Sequence, residues 1–142
     1  VIESPFAPAV SRPEGNCLGC MGPPSYRHCQ RCTALERWHT ERANNIQYAR
    51  AAVAHSLALG EAPYASHILY TQLGILDDTK PEERRRGIEA GLAWGARAEL
   101  CAVYTDRGIS PGMKIGIERH GERGLPIEYR SLYREEAFSQ IP

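Results

Sequence analysis

No apolar run in this chain approaches the roughly 20 residues a bilayer-spanning helix needs. Charge of one sign is not in excess either, since Lys+Arg and Asp+Glu are both 17, so no overall basic field draws the chain to nucleic acid or to a membrane surface. A charged stretch leading into an apolar segment, the signature of export, is not seen. These absences point to a reducing, cytoplasmic setting without a membrane partner. A Walker loop, a Gly-x-Gly-x-x-Gly after a strand, a His-Glu-x-x-His helix and a Ser–His–Asp order are missing as well, so none of those chemistries has a signature here. The chain opens without Met in a strand-like stretch, so that strand is expected to be incomplete.

What is there is specific. Cys17, Cys20, Cys29 and Cys32 form two Cys-x-x-Cys hooks. Four thiolates at that spacing can close a tetrahedral cage around one Zn²⁺. Gly22-Pro23-Pro24-Ser25 between the hooks suits a tight reversal. Two disulfides in an exported protein are the alternative. Four sulfur ligands leave no open position, so the expected zinc is structural, and neither His28 nor His39 is needed to complete it. The fifth cysteine, Cys101, lies in an apolar run and reads as a small buried hydrophobe.

At 142 residues the chain fits one domain, 1–142, with the cysteine module as an insert over 8–33 and a tail over 133–142. Val1 to Phe6 reads as a strand stopped by Pro5. A helical pattern runs from about Ala34 to Leu59, or as two helices if Asn44 caps a second, and Gly60 ends it. Glu61 to Ser66 is a second strand weakened by Pro63, and His67 to Leu73 a short helix. Asp78 or Thr79 should cap a helix that starts at Pro81 and runs to about Ala96. Gly87, Gly91 and Gly95, four apart, should leave a groove for another backbone. Leu100 to Thr105 is the strongest strand, an apolar run of the kind covered on both faces. A Gly-rich loop then leads into a helix from Pro111 to about Gly121, and Leu125 to Tyr129 closes the pattern. Strands alternating with helices predict a small three-layer α/β domain with a parallel sheet of about four strands.

Ligand sites in such sheets lie beyond the carboxyl ends of the strands, which selects Ser4-Pro5-Phe6, Ser66-His67, the Asp106–Met113 loop and Tyr129-Arg130. In that loop Asp106, Gly108, Ser110, Gly112 and Met113 lead to a helix N-terminus, where backbone N–H groups suit phosphate, carboxylate or ribose hydroxyls. Local capping by Asp106 and Ser110 is the alternative. Glu3, a carboxylate inside an apolar strand, reads as a general acid, base or nucleophile, or as half of an ion pair with an arginine. His67 stands where it can reach a ligand or serve as a satisfied structural histidine. Arg84-Arg85-Arg86 reads first as a solvated helix face and second as a phosphate clamp. Tyr48, Tyr64, Tyr70 and Tyr104 offer stacking surfaces, although half-buried core tyrosines are the ordinary case.

Several stretches carry a family likeness: Val1-Ile-Glu-Ser-Pro-Phe-Ala7, Asn45-Ile-Gln-Tyr-Ala-Arg50, Gly60-Glu-Ala-Pro-Tyr-Ala-Ser-His67, Tyr70-Thr-Gln72 and Tyr104-Thr-Asp-Arg-Gly-Ile-Ser-Pro-Gly-Met113. They resemble an uncharacterised domain of bacterial and phage genomes that is distantly similar to nucleoside 2-deoxyribosyltransferases. The resemblance implies a flavodoxin-like sheet, with Pro5-Phe6 ending the first strand and Asp106-x-Gly108 opening the ligand loop. The transferase glutamate is not matched: its offset from Asp106 falls on Gly112, pairing through Gly116 gives Lys114, and Glu118 lies nearly two turns into the helix. What the resemblance implies is a nucleoside or nucleotide site, with Glu3 and Asp106 as the carboxylates from which any glycosyl chemistry would have to be drawn. It also implies a possible homo-oligomer, since related folds complete their sites from a neighbouring subunit. The competing reading is a non-enzymatic zinc module that docks nucleic acid or protein through Arg27, His28, Arg31, Arg37 and Arg42, with Tyr26 and Trp38 stacking on bases.

Overall fold

The computed structural model describes residues 1–4 and 30–133. Pro5, Phe6, Cys17, Cys20, Tyr26, Arg27, His28, Cys29 and the tail beyond 133 lie outside the described residues, as does the side chain of Arg31. The described chain runs β1 (Ile2–Glu3), α1 (Gln30–Ala58), α2 (Ser66–Leu69), α3 (Pro81–Gly95), β2 (Cys101–Tyr104), α4 (Pro111–Glu122) and β3 (Ile127–Arg130). The three strands form one parallel sheet in the order β1-β2-β3, with Ile2 opposite Ala102, and Ala102 opposite Glu128. Among the described residues no helix is long and apolar enough to cross a membrane.

β2 is buried along its whole length, as its unbroken apolar run requires. Its alternate residues face different layers. Ala102 and Tyr104 pack with Ile2 against Tyr48 and Ala52 of α1. Cys101 and Val103 pack on the other face with Met113 and Ile117 of α4. A small-residue seam of Ala49, Ala52, Ala65 and Ala102, all under a tenth exposed, lets α1 lie close to the sheet.

α1 is one helix of 29 residues, not two. Asn44 is on its solvent side and caps nothing, while Trp38, Asn45, Tyr48, Ala52 and Ser56 make one continuous buried stripe at helical spacing. Gly60, at φ 79°, takes the left-handed conformation that ends it.

The expected fourth strand does not form a ladder among the described residues. The segment from Glu61 to Ala65 runs extended beside β1, yet the two share only the bond from Ile2 N to the carbonyl of Tyr64, at 2.9 Å. Pro63 has no N–H to extend the pairing. The cap of α3 also differs from expectation. Lys80 holds the N-cap position without a side-chain bond, because Asp77 accepts from Thr79 N at 3.0 Å and Asp78 pairs with Arg84.

Behind the sheet Arg130 forks onto Glu61, with Nη1 donating to Oε2 at 2.8 Å and Nη2 to Oε1 at 2.6 Å. Its Nε donates to Glu128 at 2.9 Å, and the Ser56 hydroxyl donates to Glu61. Hydrogen bonds from Arg130 and then Ser56 hold the Glu61 carboxyl down at about 2. A depressed folded-state pKa contributes stability that is complete above the ordinary carboxylate value and is lost as pH falls through the folded value. Urea denaturation is therefore expected to show stability falling from about pH 4.5 towards about 2. Arg130→Met should flatten that slope and cost roughly 2 kcal/mol at pH 7. An unchanged acid slope would place the acid sensitivity elsewhere.

Candidate functional site

Beyond the carboxyl end of β1, and beside the loop that follows β2, lies a cleft of about 500 Å³. Its sheet side carries Glu3 and Ser4 with the loop from Arg107 to Met113. Gly108 turns that loop at φ 78°, which a side chain would strain. Ser110 then caps α4, its Oγ accepting from Met113 N at 3.3 Å. The opposite wall comes from Ser66, His67 and Tyr70, and from the face of α3 that presents Arg84, Gly87, Ile88 and Gly91.

The polar side chains of the cleft floor fit because three helix glycines make room for them. A Cβ on Gly91 would fall 2.8 Å from Ser66 Oγ. One on Gly95 would clash with the imidazole of His120, and one on Gly116 would fall 2.6 Å from the carboxyl carbon of Glu3. The every-fourth glycines of α3 therefore admit side chains, namely Leu76, Ser66 and His120, rather than another backbone.

Burial sets the charges on this floor. It pushes the Glu3 carboxyl up to about 8, against the pull of the Val1 amino group. It pushes His67 down to about 4 and lowers His120 as well. Ser4 Oγ and His67 Nε2 are hydrogen-bonded at 2.9 Å, joining the end of β1 to α2. At neutral pH the floor thus presents an uncharged acid, two uncharged imidazoles and hydroxyls. On the rim Arg84 Nη1 donates to its ion-pair partner Asp78 Oδ2 at 2.6 Å, and Arg107 Nε donates to the uncharged amide of Asn45 at 2.8 Å.

Of the residues expected at the site, Glu3, Ser4, Ser66, His67, Gly108, Ser110, Gly112 and Met113 all line this one cleft. Asp106 does not. Its carboxylate accepts from Tyr48 Oη at 2.5 Å, from Leu132 N at 2.9 Å and from the Ser131 hydroxyl. Burial works to raise its pKa, but the bonds from Ser131, Tyr48 and Leu132 outweigh that and hold it below the ordinary value. Lys114 and Glu118 point to solvent. The three arginines divide: Arg84 lines the cleft, Arg85 pairs with Glu82 and Glu89 on the surface, and Arg86 is exposed. Tyr48 and Tyr104 are core residues, and Trp38 is buried with Arg42 over its ring at 5.5 Å. Trp38 is therefore no stacking platform for a base.

His120 is the residue that sequence reasoning missed. It is 1 % exposed and follows Met113 and Gly116 on the buried face of α4, so its signal was a histidine at a core-facing helical position. Among the described residues no three histidine, cysteine or acidic side chains converge as a metal site. Of the four hook cysteines the described residues include Cys32 alone, in the opening turn of α1.

A family match spans residues 32–130. The chain belongs to the family described as Domain of unknown function (DUF7768). The DUF7768 span starts at Cys32 and ends at Arg130, so it runs from the first turn of α1 through β3 and leaves Glu3 and Ser4 outside it. No curated protein and no solved structure matches the chain.

Alanine in a helix interior normally stabilises relative to glycine by up to about 1 kcal/mol. Here the sign should reverse. Gly95→Ala, which drives a Cβ into the buried His120 ring, should cost about 1–3 kcal/mol in chemical denaturation, whereas Gly112→Ala, with ordinary clearance to Arg84, should be close to neutral. Equal stabilities for the two variants would show that the space at Gly95 is not tightly filled.

Proposed function

We propose that this cleft binds a nucleoside, a nucleotide or a related ribosyl ligand. The observation that carries the reading is the convergence of Glu3, Ser4, Ser66, His67 and the Gly108–Met113 loop on one cavity beyond the strand ends, the usual ligand position in parallel α/β sheets. Helices on both faces of the sheet support a flavodoxin-like architecture for the whole domain. Hydroxyls at Ser4, Ser66 and Ser110 and the Gly112 N–H at the start of α4 suit a sugar bearing several hydroxyls. Glu3 replaces Asp106 as the carboxylate of interest, because Asp106 is committed to Tyr48, Ser131 and Leu132.

We further propose that Cys17, Cys20, Cys29 and Cys32 hold a structural zinc ion. Cys32 stands in the first turn of α1, where the helix dipole favours a thiolate and no acidic residue opposes it. The ion would fasten the insert to the start of α1 and take no part in chemistry.

Two measurements test these readings. Adenosine, inosine, uridine and AMP, added to the intact protein, should raise its melting temperature, and Ser110→Ala should weaken that rise. The ribosyl reading falls if none of the four compounds stabilises the protein. Metal analysis should find about one zinc per chain, and chelation should increase hydrogen exchange in residues 8–33 while β2 stays protected. Absence of zinc from freshly purified protein would overturn the cage, and chelation that unfolds β2 would make the ion central to the fold.

A further inference from the structure

Glycine in a helix interior costs roughly 1 kcal/mol relative to alanine. Gly116 is such a residue and Gly95 closes α3, and the space they leave is filled by the Glu3 carboxyl and the His120 imidazole respectively. Neither polar group gains much in return. Glu3 Oε1 lies 3.7 Å from His120 Nε2, beyond hydrogen-bond length, and buried His120 Nδ1 has no partner among the described residues. An acid and an imidazole held with so few partners, both lining the cleft, are better explained by a ligand than by stability.

The groups facing Glu3 leave it without a strong cation. From α4 comes His120, and from β2 the Cys101 thiol, which burial pushes up to about 12 and so leaves neutral. His67, across the cleft on α2, is neutral and bonded to Ser4. Arg123 faces His120 from the end of α4 and helps to hold it uncharged.

We propose that Glu3, seated in the space that Gly116 leaves on α4, is a ligand-recognition residue that donates a hydrogen bond, as an uncharged acid, to an uncharged acceptor on the ligand such as a carbonyl oxygen or ring nitrogen. The inference rests on the ribosyl reading above and adds to it which chemical group meets the floor. An ionised Glu3 would repel the same acceptor, so binding is lost as pH rises through the value at which the acid ionises. A cationic ligand group would reverse that dependence.

The test is calorimetric titration of inosine, uridine, adenosine and AMP into the intact protein and its Glu3→Gln variant between about pH 6.5 and 9.5. Affinity should hold to about pH 7.5 and fall about tenfold by about pH 9, given an acid that ionises near 8. Glu3→Gln keeps an N–H donor in place, so it should bind with little change at neutral pH and show no such fall. A flat wild-type profile, a fall shared by Glu3→Gln, or affinity that rises with pH overturns the proposal. If none of the probes binds, the ribosyl reading fails by itself, and the pair is decided in the ligand-free protein by carboxyl ¹³C resonances. Glu3 already ionised at about pH 6 overturns it; Glu3 protonated through about pH 7 sustains it.

Discussion

The distance between α4 and the sheet governs the rest of this structure. A helix packed on a sheet normally keeps its Cβ layer between the two backbones. At Gly116 that layer is missing, and the Glu3 carboxyl occupies its place. One turn later the same helix sends His120 into the gap left by Gly95 of α3, so α3, α4 and β1 meet through polar side chains instead of aliphatic ones. Met113 and Ile117 on the same helix face pack with Val103 in the ordinary way. The seam is thus apolar against the middle of the sheet and polar at the carboxyl end of β1. Burial then decides what those polar groups are: with little water and no close cation, the acid and the imidazoles are cheapest uncharged.

A second constraint fixes the loop that forms the other side of the cleft. Asp106 takes hydrogen bonds from Tyr48 on α1, and from Ser131 and Leu132 just after β3. One carboxylate therefore fastens the β2–α4 loop to the helix on the far face and to the segment leaving the neighbouring strand. Tyr48 reciprocates by accepting from Asp106 N at 3.2 Å. Losing this carboxylate would leave a buried tyrosine hydroxyl and a backbone N–H without their acceptor, which is costly at about 1–3 kcal/mol per group. The placement of Gly108, Ser110 and Gly112 beside the cleft follows from that strap, although Asp106 itself stays out of the cleft.

The elements were largely legible in the sequence because they rest on local physics. Pro111 with Ser110 before it marks the start of α4, and the run through Val103 marks the central strand. What was not legible depended on partners distant in the chain. Asp-x-Gly reads the same whether its carboxylate faces a ligand or a tyrosine 58 residues away. Pro63 warned that the segment before α2 was a poor strand, yet only the sheet shows that it stops at one shared bond. Gly87, Gly91 and Gly95 announced a close approach, expected of another backbone, but it is the side chains of Leu76, Ser66 and His120 that approach. His120 carried a usable signal, a titratable residue among Met113, Gly116 and Ile117 on the buried face of α4, but that signal gains meaning only when Glu3 is found opposite it.

Charge balance extends the same logic from the floor of the cleft to its rim. The whole chain has zero formal net charge, and two of the charged side chains around the cleft are in ion pairs, Arg84 with Asp78 and Glu83 with Lys80 at 2.8 Å, while Arg107 bonds the neutral Asn45 amide. Paired charges at the surface project little field beyond the Debye length, about 8 Å at physiological salt. Long-range steering is then weak, in contrast to sites that draw anions with a one-sign funnel. Discrimination has to come at short range, from which hydrogen-bond donors and acceptors the ligand presents to uncharged groups. In such a site a single mismatched donor leaves a buried group unsatisfied, and the cost falls on binding directly. A neutral acid on the floor is therefore a selective element in its own right, because it can offer a donor where an ionised carboxylate offers only acceptors.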